Sequence, residues 1–403
     1  MLWLAAGSTR LRPIWVPVLV ASPYAWLYAR QLWDNTWLIP IGALAAAGHL
    51  SWCRSAAPWK AWLVVLLLAL GVLIHPMIAP LAIAILLHAW VFERSVLRQQ
   101  RRTLLLQALV VLLVAAPWLS RLGREPVSAL AALSIDVGAP RMSPPAMERP
   151  SAATRWAFAL AGGRVLSADG LEYFLGEDWR ERVPGSRPWV FLSWLSYVLV
   201  WAGIGVAILE VRRRPGDDPG LAAAGRADDF HLAWLCLVTL ALSWLMQGVL
   251  KRHTHPHYYN GVWICYAGFW WLAVTRLGRG AWQRRVLSAV GAAVGVALLV
   301  VTASMAARLH RDGGNRGVHF GTALASQLEA AATLSRYSPD SELQIEVQNL
   351  LMFPHALPVL RALSGHPGDP AGPRRKLRLG FRDPAPASAF FAVVEVAEPG
   401  ATR

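Results

Sequence analysis

Long apolar runs separated by short polar segments dominate the first three quarters of the chain. Each run is apolar around the whole helical circumference, which is typical of a segment that faces lipid or other helices on every side. The runs extend from Pro13 to Ala29, Thr36 to Trp52, Ala61 to Ile74, Pro76 to Phe92, Thr103 to Leu119, Trp189 to Leu209, Phe230 to Leu250, Gly261 to Thr275 and Val286 to Ala307. The pattern therefore predicts an all-α polytopic membrane bundle of about nine transmembrane helices.

One apolar stretch, from Trp59 to Phe92, is too long for a single crossing at a rise of about 1.5 Å per residue. His75 and Pro76 lie near its middle, and proline removes a backbone donor and clashes with the preceding helical turn. The sequence therefore predicts two helices here, arranged as a hairpin.

The loop charges orient this bundle. Arginine and lysine gather in alternate loops, which the positive-inside rule assigns to the cytoplasm. These cations are Arg10, Arg12, Arg54, Lys60, Arg94, Arg98, Arg101, Arg102, Arg212, Arg213, Arg214, Arg226, Arg276, Arg279, Arg284 and Arg285. The short loops of the other side carry only Arg30, Lys251 and Arg252. We therefore expect a cytoplasmic N-terminus, with the long loop 120–187 and the C-terminus outside the cell, as in a bacterial inner (plasma) membrane protein.

The last part of the chain, residues 310–403, loses the membrane composition that residues 1–309 share. Apolar residues alternate there in three short stretches, which predicts strands, and two other stretches have helical periodicity. The predicted elements are a helix from Thr322 to Arg336, a strand from Leu343 to Val347, a helix from Pro354 to Leu363, and strands from Lys376 to Phe381 and Ala389 to Val396. This tail is predicted to be a small extracytoplasmic α/β module.

Composition agrees with a membrane protein, because 55% of residues are hydrophobic and only 16% are charged. The net charge of +15 would suggest nucleic acid in a soluble protein, but here the arginines lie in loops between apolar runs, where topology and anionic lipids account for them. No nucleic-acid partner is expected. The three cysteines, Cys53, Cys236 and Cys265, have no CxxC spacing and predict neither a disulfide framework nor a zinc site.

Polar residues at membrane depth are costly, so they indicate where chemistry should be sought. In the segment SPYAWLYARQLWDNTWLIP, Arg30 can pair with an anion, and Asp34 can coordinate a cation or orient a sugar hydroxyl. The alternative is a local ion pair at a helix end, since opposite charges at helical spacing pair readily. His75, at the predicted break, is likewise either a ligand-binding residue or a histidine satisfied by a neighbouring carbonyl group.

A third polar group combines cations, imidazoles and phenols at the predicted outer membrane edge, where they would bind phosphate and sugar hydroxyls. Its members are Lys251, Arg252, His253, His255, His257, Tyr258 and Tyr259. A metal site and an interfacial anchor of aromatic and basic residues are the competing interpretations. Acidic residues in the outer loop, Glu172, Glu177 and Asp178, are interpreted as solvated surface groups.

Three of these segments resemble, in the right order, segments of the bacterial relatives of the protein O-mannosyltransferases, glycosyltransferase family 39 of the GT-C superfamily. They are SPYAWLYARQLWDNTWLIP, LGVLIHPMIAPLAIAILLHAW and HPHYYNGVWICYAGFWWLA, and the resemblance extends from about Pro17 to Ala307. One departure is that Gly261 and Val262 stand where that family commonly has a proline. Enzymes of this superfamily also carry an acidic residue in the outer loop after their first helix, and only a short basic segment precedes the first apolar run here. We therefore expect an N-terminally truncated or divergent form.

The resemblance implies transfer of a sugar from a polyprenyl phosphate to a glycan, lipid or protein acceptor at the outer face. Arg30, His75, Lys251, Arg252 and the histidines and tyrosines of the third group would bind the donor. Asp34 would be the base, or would only orient the donor if the main base lies upstream of this chain. No cofactor is required by this mechanism, although a divalent metal ion stays an open alternative. A flippase or transporter, a ligase of lipid-linked saccharides, and a non-enzymatic assembly protein are the alternatives. For a transporter, Gln107, Ser193 and Thr239 would be the polar groups at mid-membrane.

Overall fold

The computed structural model describes residues 37–124, 186–213, 222–249, 256–278, 280–311, 332, 342–345, 376–380 and 393–397. This part of the chain is almost entirely helical. Its α-helices are α1 (Leu38–Ser55), α2 (Pro58–Ile74), α3 (Ala79–Phe92), α4 (Arg94–Gln99), α5 (Arg101–Arg124), α6 (Ser186–Arg212), α7 (Ala222–Val249), α8 (Trp263–Leu277) and α9 (Ala281–Arg311). Two 3₁₀ turns interrupt them, the Pro76 turn (Pro76–Ile78) and the Pro256 turn (Pro256–Val262).

A helix covers each predicted apolar run that lies within the described residues. The predicted run from Pro13 to Ala29 lies outside them. The predicted break at His75 is confirmed, because α2 ends at Ile74 and α3 begins only after the Pro76 turn. Proline at the start of both α2 and α3 fits the first helical turn, where a backbone N–H has no helical partner in any case.

The two helices of the predicted hairpin do not pack along each other. Helix α2 packs along α1, whereas α3 packs against α7 and α1. The chain turns from α1 to α2 at Ala56, which adopts a left-handed backbone with a φ of 48°. Lys60 closes this turn, because its Nζ donates to the carbonyl oxygen of Ser51 at 3.3 Å and to the Ser55 hydroxyl at 2.9 Å.

Helix α8 is the most deeply buried element in the described part of the chain. Every residue from Trp263 to Val274 is buried, and Phe269, Trp270 and Trp271 have no exposed surface. An apolar helix that is buried on all sides belongs to the interior of a bundle. By contrast, Trp59, Trp90 and Trp282 lie near helix ends and are largely exposed, as expected of indoles in a headgroup interface.

Two described segments, Asp228–Met246 of α7 and Ala281–Ala307 of α9, are long and apolar enough to cross a membrane. Helix α5 carries exposed leucines on its outer surface, among them Leu105, Leu109 and Leu113. An exposed apolar surface of this kind is typical of helices in contact with lipid or with further helices.

In the tail, three short strands form one sheet: β1 (Glu342–Ile345), β2 (Lys376–Gly380) and β3 (Val393–Ala397). Strand β2 is central, pairing in parallel with β1 and antiparallel with β3. Each strand overlaps a predicted one, but the predicted tail helices, apart from Ala332, lie outside the described residues, and the α/β module stays a prediction.

The chain divides into two compact units. The first comprises Met1–Asp169 and Val190–Leu299, and the second comprises Gly170–Trp189 and Val300–Arg403. Both residue groups described next belong to the first unit.

Candidate functional site

The Pro256 turn packs against the Pro76 turn and against the first residues of α1. We call this contact the turn junction. Its centre is Gly261, where a Cβ atom would lie only 2.8 Å from the carbonyl oxygen of Met77. On the opposite side, a Cβ on Gly42 would lie 2.9 Å from the carbonyl oxygen of Gly261. Glycine is required at both positions because backbone approaches backbone with no room for a side chain.

His75 shapes this junction from the end of α2. Its backbone is extended, and its N–H donates to the carbonyl oxygen of Gly71 at 2.8 Å. Its ring Nδ1 accepts the backbone N–H of Met77 at 3.2 Å, so that in the neutral ring the proton lies on Nε2. A neighbouring backbone group therefore satisfies one ring nitrogen of His75, through an N–H rather than the expected carbonyl.

Tyr259 of the Pro256 turn is completely buried, and its ring lies 6.1 Å from that of Tyr266 in an edge-on arrangement. Burial raises the pKa of the Tyr259 phenol, so this group stays neutral. A buried, neutral phenol favours a role in holding the turn rather than in contacting a ligand. The neighbouring Asn260 is buried as well.

The remaining predicted site residues fall into two sets. Arg30, Asp34, Lys251, Arg252, His253 and His255 lie outside the described residues. For His257 and Tyr258 the structure describes the backbone, which belongs to the Pro256 turn. Their roles stay predictions.

A second residue group lies further along α1, about 10 Å from Gly42 at the helical rise. There three histidines from three helices form a hydrogen-bonded row. His49 Nε2 of α1 lies 3.0 Å from His88 Nδ1 of α3, and His88 Nε2 lies 2.9 Å from His231 Nδ1 of α7. His49 and His88 are fully buried, and His231 is half-buried.

Cys53 extends this row toward the end of α1. Its Sγ lies 3.7 Å from His49 Nε2, and the ligand atoms of His49, Cys53 and His88 all lie within 4.8 Å of one another. The half-buried Glu93, just after α3, hydrogen-bonds to the Cys53 thiol. We call His49, Cys53, His88 and His231 the histidine–cysteine cluster.

Aromatic rings surround the cluster. The His88 ring centroid lies 4.8 Å from that of Phe92 and 5.3 Å from that of Trp234, and the His49 ring lies 5.8 Å from Trp52. At the rim, Arg54 donates from Nε to Asp228 Oδ1 at 2.7 Å, which ties the end of α1 to the start of α7. Aromatic rings therefore pack against the histidines of the cluster, and an ion pair lies beside Cys53.

Burial shifts the pKa of two ionisable groups that lie just beyond the predicted spans, Cys53 and Glu93. It raises the pKa of the Cys53 thiol, and the neighbouring Glu93 carboxyl raises it further. Burial also raises the pKa of Glu93 itself. In both groups burial disfavours the charged form.

The sequence pattern does not point to this cluster. The cysteines are expected to form no zinc site because they lack ligand spacing, yet the fold brings Cys53 close to His88 of another helix. One local signal is present, since His49 and Cys53 are four residues apart and so share one face of a helix. His88 and His231 are far from both in sequence, and only tertiary packing places them here.

No protein-family model, curated protein or solved structure matches the chain. The resemblance of three segments to glycosyltransferase family 39 accordingly stays a prediction.

Proposed function

We propose that this chain is an integral membrane glycosyltransferase that transfers a sugar from a polyprenyl-phosphate carrier to an acceptor at the outer membrane face. The turn junction is the observation that supports the proposal most directly. Two of the three family-like segments, those of His75–Pro76 and of the Pro256 turn, are in backbone contact there, and both meet the start of α1.

The predicted catalytic and binding residues flank these elements in sequence. Asp34 precedes the first residue of α1 by four positions, and Arg252 precedes the Pro256 turn by four. A donor phosphate at this junction would meet Arg252, Lys251 and Arg30, whose cations would offset the charge that develops on the leaving group.

In the proposed reaction, the acceptor hydroxyl oxygen attacks the anomeric carbon of the sugar while the bond from that carbon to the phosphate oxygen breaks. The electron pair leaves with the polyprenyl phosphate, and the hydroxyl proton passes to Asp34. The donor is already activated, so a preorganised cationic site and one base are the groups that the reaction needs.

Replacing Arg252 with alanine tests the phosphate-binding role. One charge-assisted hydrogen bond contributes roughly 1.5 to 3 kcal/mol, so we expect donor affinity to fall by about 10- to 150-fold. The measurement is binding of a polyprenyl-phosphate sugar to the full chain in nanodiscs. Arg284→Ala is the matched control, because the same charge is removed from the predicted cytoplasmic side.

Equal losses in Arg252→Ala and Arg284→Ala would show that the outer cations are not the phosphate site. Transfer is then measured on the same preparation with an acceptor extract from the cell envelope. Movement of the lipid-linked sugar across a vesicle membrane without transfer would instead support the second candidate, a flippase. That candidate is favoured by Gln107 and Thr239, which are buried and whose side chains have no hydrogen-bond partner in the described part of the chain.

A further inference from the structure

The histidine–cysteine cluster has the composition and spacing of a metal site. We propose that His49 Nε2, Cys53 Sγ and His88 Nδ1 bind a zinc ion, with His231 as the residue that orients His88. This site is independent of the turn junction and of the proposed glycosyl transfer, since it shares no residue with either.

Ligand spacing is the first argument. Zinc with bonds of about 2.0–2.1 Å to nitrogen and 2.3 Å to sulfur sets tetrahedral edges of about 3.4 Å between nitrogens and 3.6 Å between nitrogen and sulfur. The observed distances are 3.0 Å between His49 Nε2 and His88 Nδ1, and 3.7 Å between His49 Nε2 and Cys53 Sγ. The third pair, His88 Nδ1 and Cys53 Sγ, lies within 4.8 Å. Shifts of up to about 1 Å would therefore admit the ion.

The donor set is the second argument. Two imidazole nitrogens and one thiolate suit a borderline-soft ion such as Zn²⁺, whereas Mg²⁺ and Ca²⁺ take oxygen ligands. Three protein ligands leave a fourth position for water or for the Glu93 carboxylate, which contacts Cys53.

The support of His88 is the third argument. A metal-bound histidine almost always donates its other ring N–H to a fixed acceptor, which sets the tautomer and the ring orientation. Once His88 Nδ1 binds the ion, its proton lies on Nε2, which is 2.9 Å from His231 Nδ1. His231 lies in α7 one helical turn after Asp228, whose ion pair with Arg54 ties that helix to α1.

The charge balance is the fourth argument. Zinc binds the thiolate, so the Cys53 proton must leave when the ion enters, and the two histidines bind in their neutral forms. One proton is therefore released for each ion bound.

Metal titration of the full chain, purified in detergent micelles with a chelator and then dialysed, tests the proposal. We expect about one zinc per chain by elemental analysis, and release of about one proton per ion measured with an indicator dye. Substitution with Co²⁺ should give a thiolate-to-cobalt charge-transfer absorption.

Cys53→Ser should abolish this absorption and lower zinc affinity at least 100-fold, while Cys236→Ser, the matched control, should change neither. Cys236 is also buried in the first unit but lies outside the cluster. His231→Leu should weaken zinc about 10- to 100-fold, as expected for loss of a supporting partner. His231→Asn, whose side-chain oxygen takes the place of Nδ1, should restore most of the affinity.

Thermal unfolding followed by tryptophan fluorescence is the folding control. The metal-free variants should melt at the same temperature as the metal-free parent, so that loss of zinc binding reflects loss of a ligand and not of the fold. Full zinc binding by a folded Cys53→Ser chain would overturn the proposal. So would binding of Cu⁺ without Zn²⁺, or a parent chain whose zinc affinity is no tighter than that of Cys53→Ser. Binding of Cu⁺ without Zn²⁺ would identify the cluster as a copper site. Equal zinc affinity of the parent and Cys53→Ser would identify it as a hydrogen-bonded row of neutral histidines.

Discussion

At the scale of single residues, two of the ion pairs in the described part of the chain differ in burial. Glu210 of α6 pairs with Arg276 of α8, and their side chains are 5% and 12% exposed. Arg54 and Asp228 are 38% and 27% exposed. Burial decides what each pair contributes, because an uncompensated charge costs far more inside the protein than at its surface.

Replacing Glu210 with glutamine should therefore destabilise the protein by about 3 to 5 kcal/mol, since it leaves Arg276 charged and unpaired. Replacing Asp228 with asparagine should cost no more than about 1 kcal/mol. The measurement is unfolding in micelles followed by tryptophan fluorescence. If the double variant Glu210→Leu, Arg276→Met is as unstable as Glu210→Gln, the loss comes from packing and not from the unpaired charge.

At the scale of elements, close backbone contacts fix how the turns and helices meet. Gly261 and Gly42 lie where a Cβ would touch backbone oxygens at 2.8 and 2.9 Å, and backbone cannot yield as a flexible side chain can. At Gly205 of α6, by contrast, no atom lies within 4 Å of the position that a Cβ would occupy. The turn junction therefore depends on small residues in a way that the exposed part of α6 does not.

Gly261→Ala should force the Pro256 turn away from Met77 and destabilise the protein by about 1 to 3 kcal/mol, the usual cost of overpacking. Gly205→Ala, the matched control, should be neutral or slightly stabilising because alanine is the better helix former. Both are compared by thermal unfolding in micelles. Equal melting temperatures would show that the two turns are not held in contact. The donor phosphate is proposed to bind at the turn junction, so Gly261→Ala should also weaken donor binding.

At the scale of the whole molecule, the charge pattern makes a topology prediction. Loops rich in arginine are assigned to the cytoplasm, and the long loop and the tail to the outside. This assignment requires helices that cross a membrane. The described segments Asp228–Met246 and Ala281–Ala307 are long and apolar enough to do so.

Cysteines introduced at Gly185 and Ser341 should react with a membrane-impermeant thiol reagent in intact cells, whereas a cysteine at Gly216 should react only after the membrane is opened. The parent chain, which contains Cys53, Cys236 and Cys265, gives the background level of thiol labelling. Labelling of Gly216→Cys alone in intact cells would invert the predicted orientation.

For the described part of the chain, the sequence by itself determined where the long apolar helices lie and where the apolar stretch from Trp59 to Phe92 breaks. Apolar periodicity and Pro76 act locally, through burial of a continuous surface and loss of a backbone donor, so they can be read from neighbouring residues. Tertiary structure alone decided that Gly261 meets Met77, and that His88 meets both His49 and His231. Those contacts join residues far apart along the chain, and which helix faces meet depends on the packing of several helices at once, which no local pattern encodes.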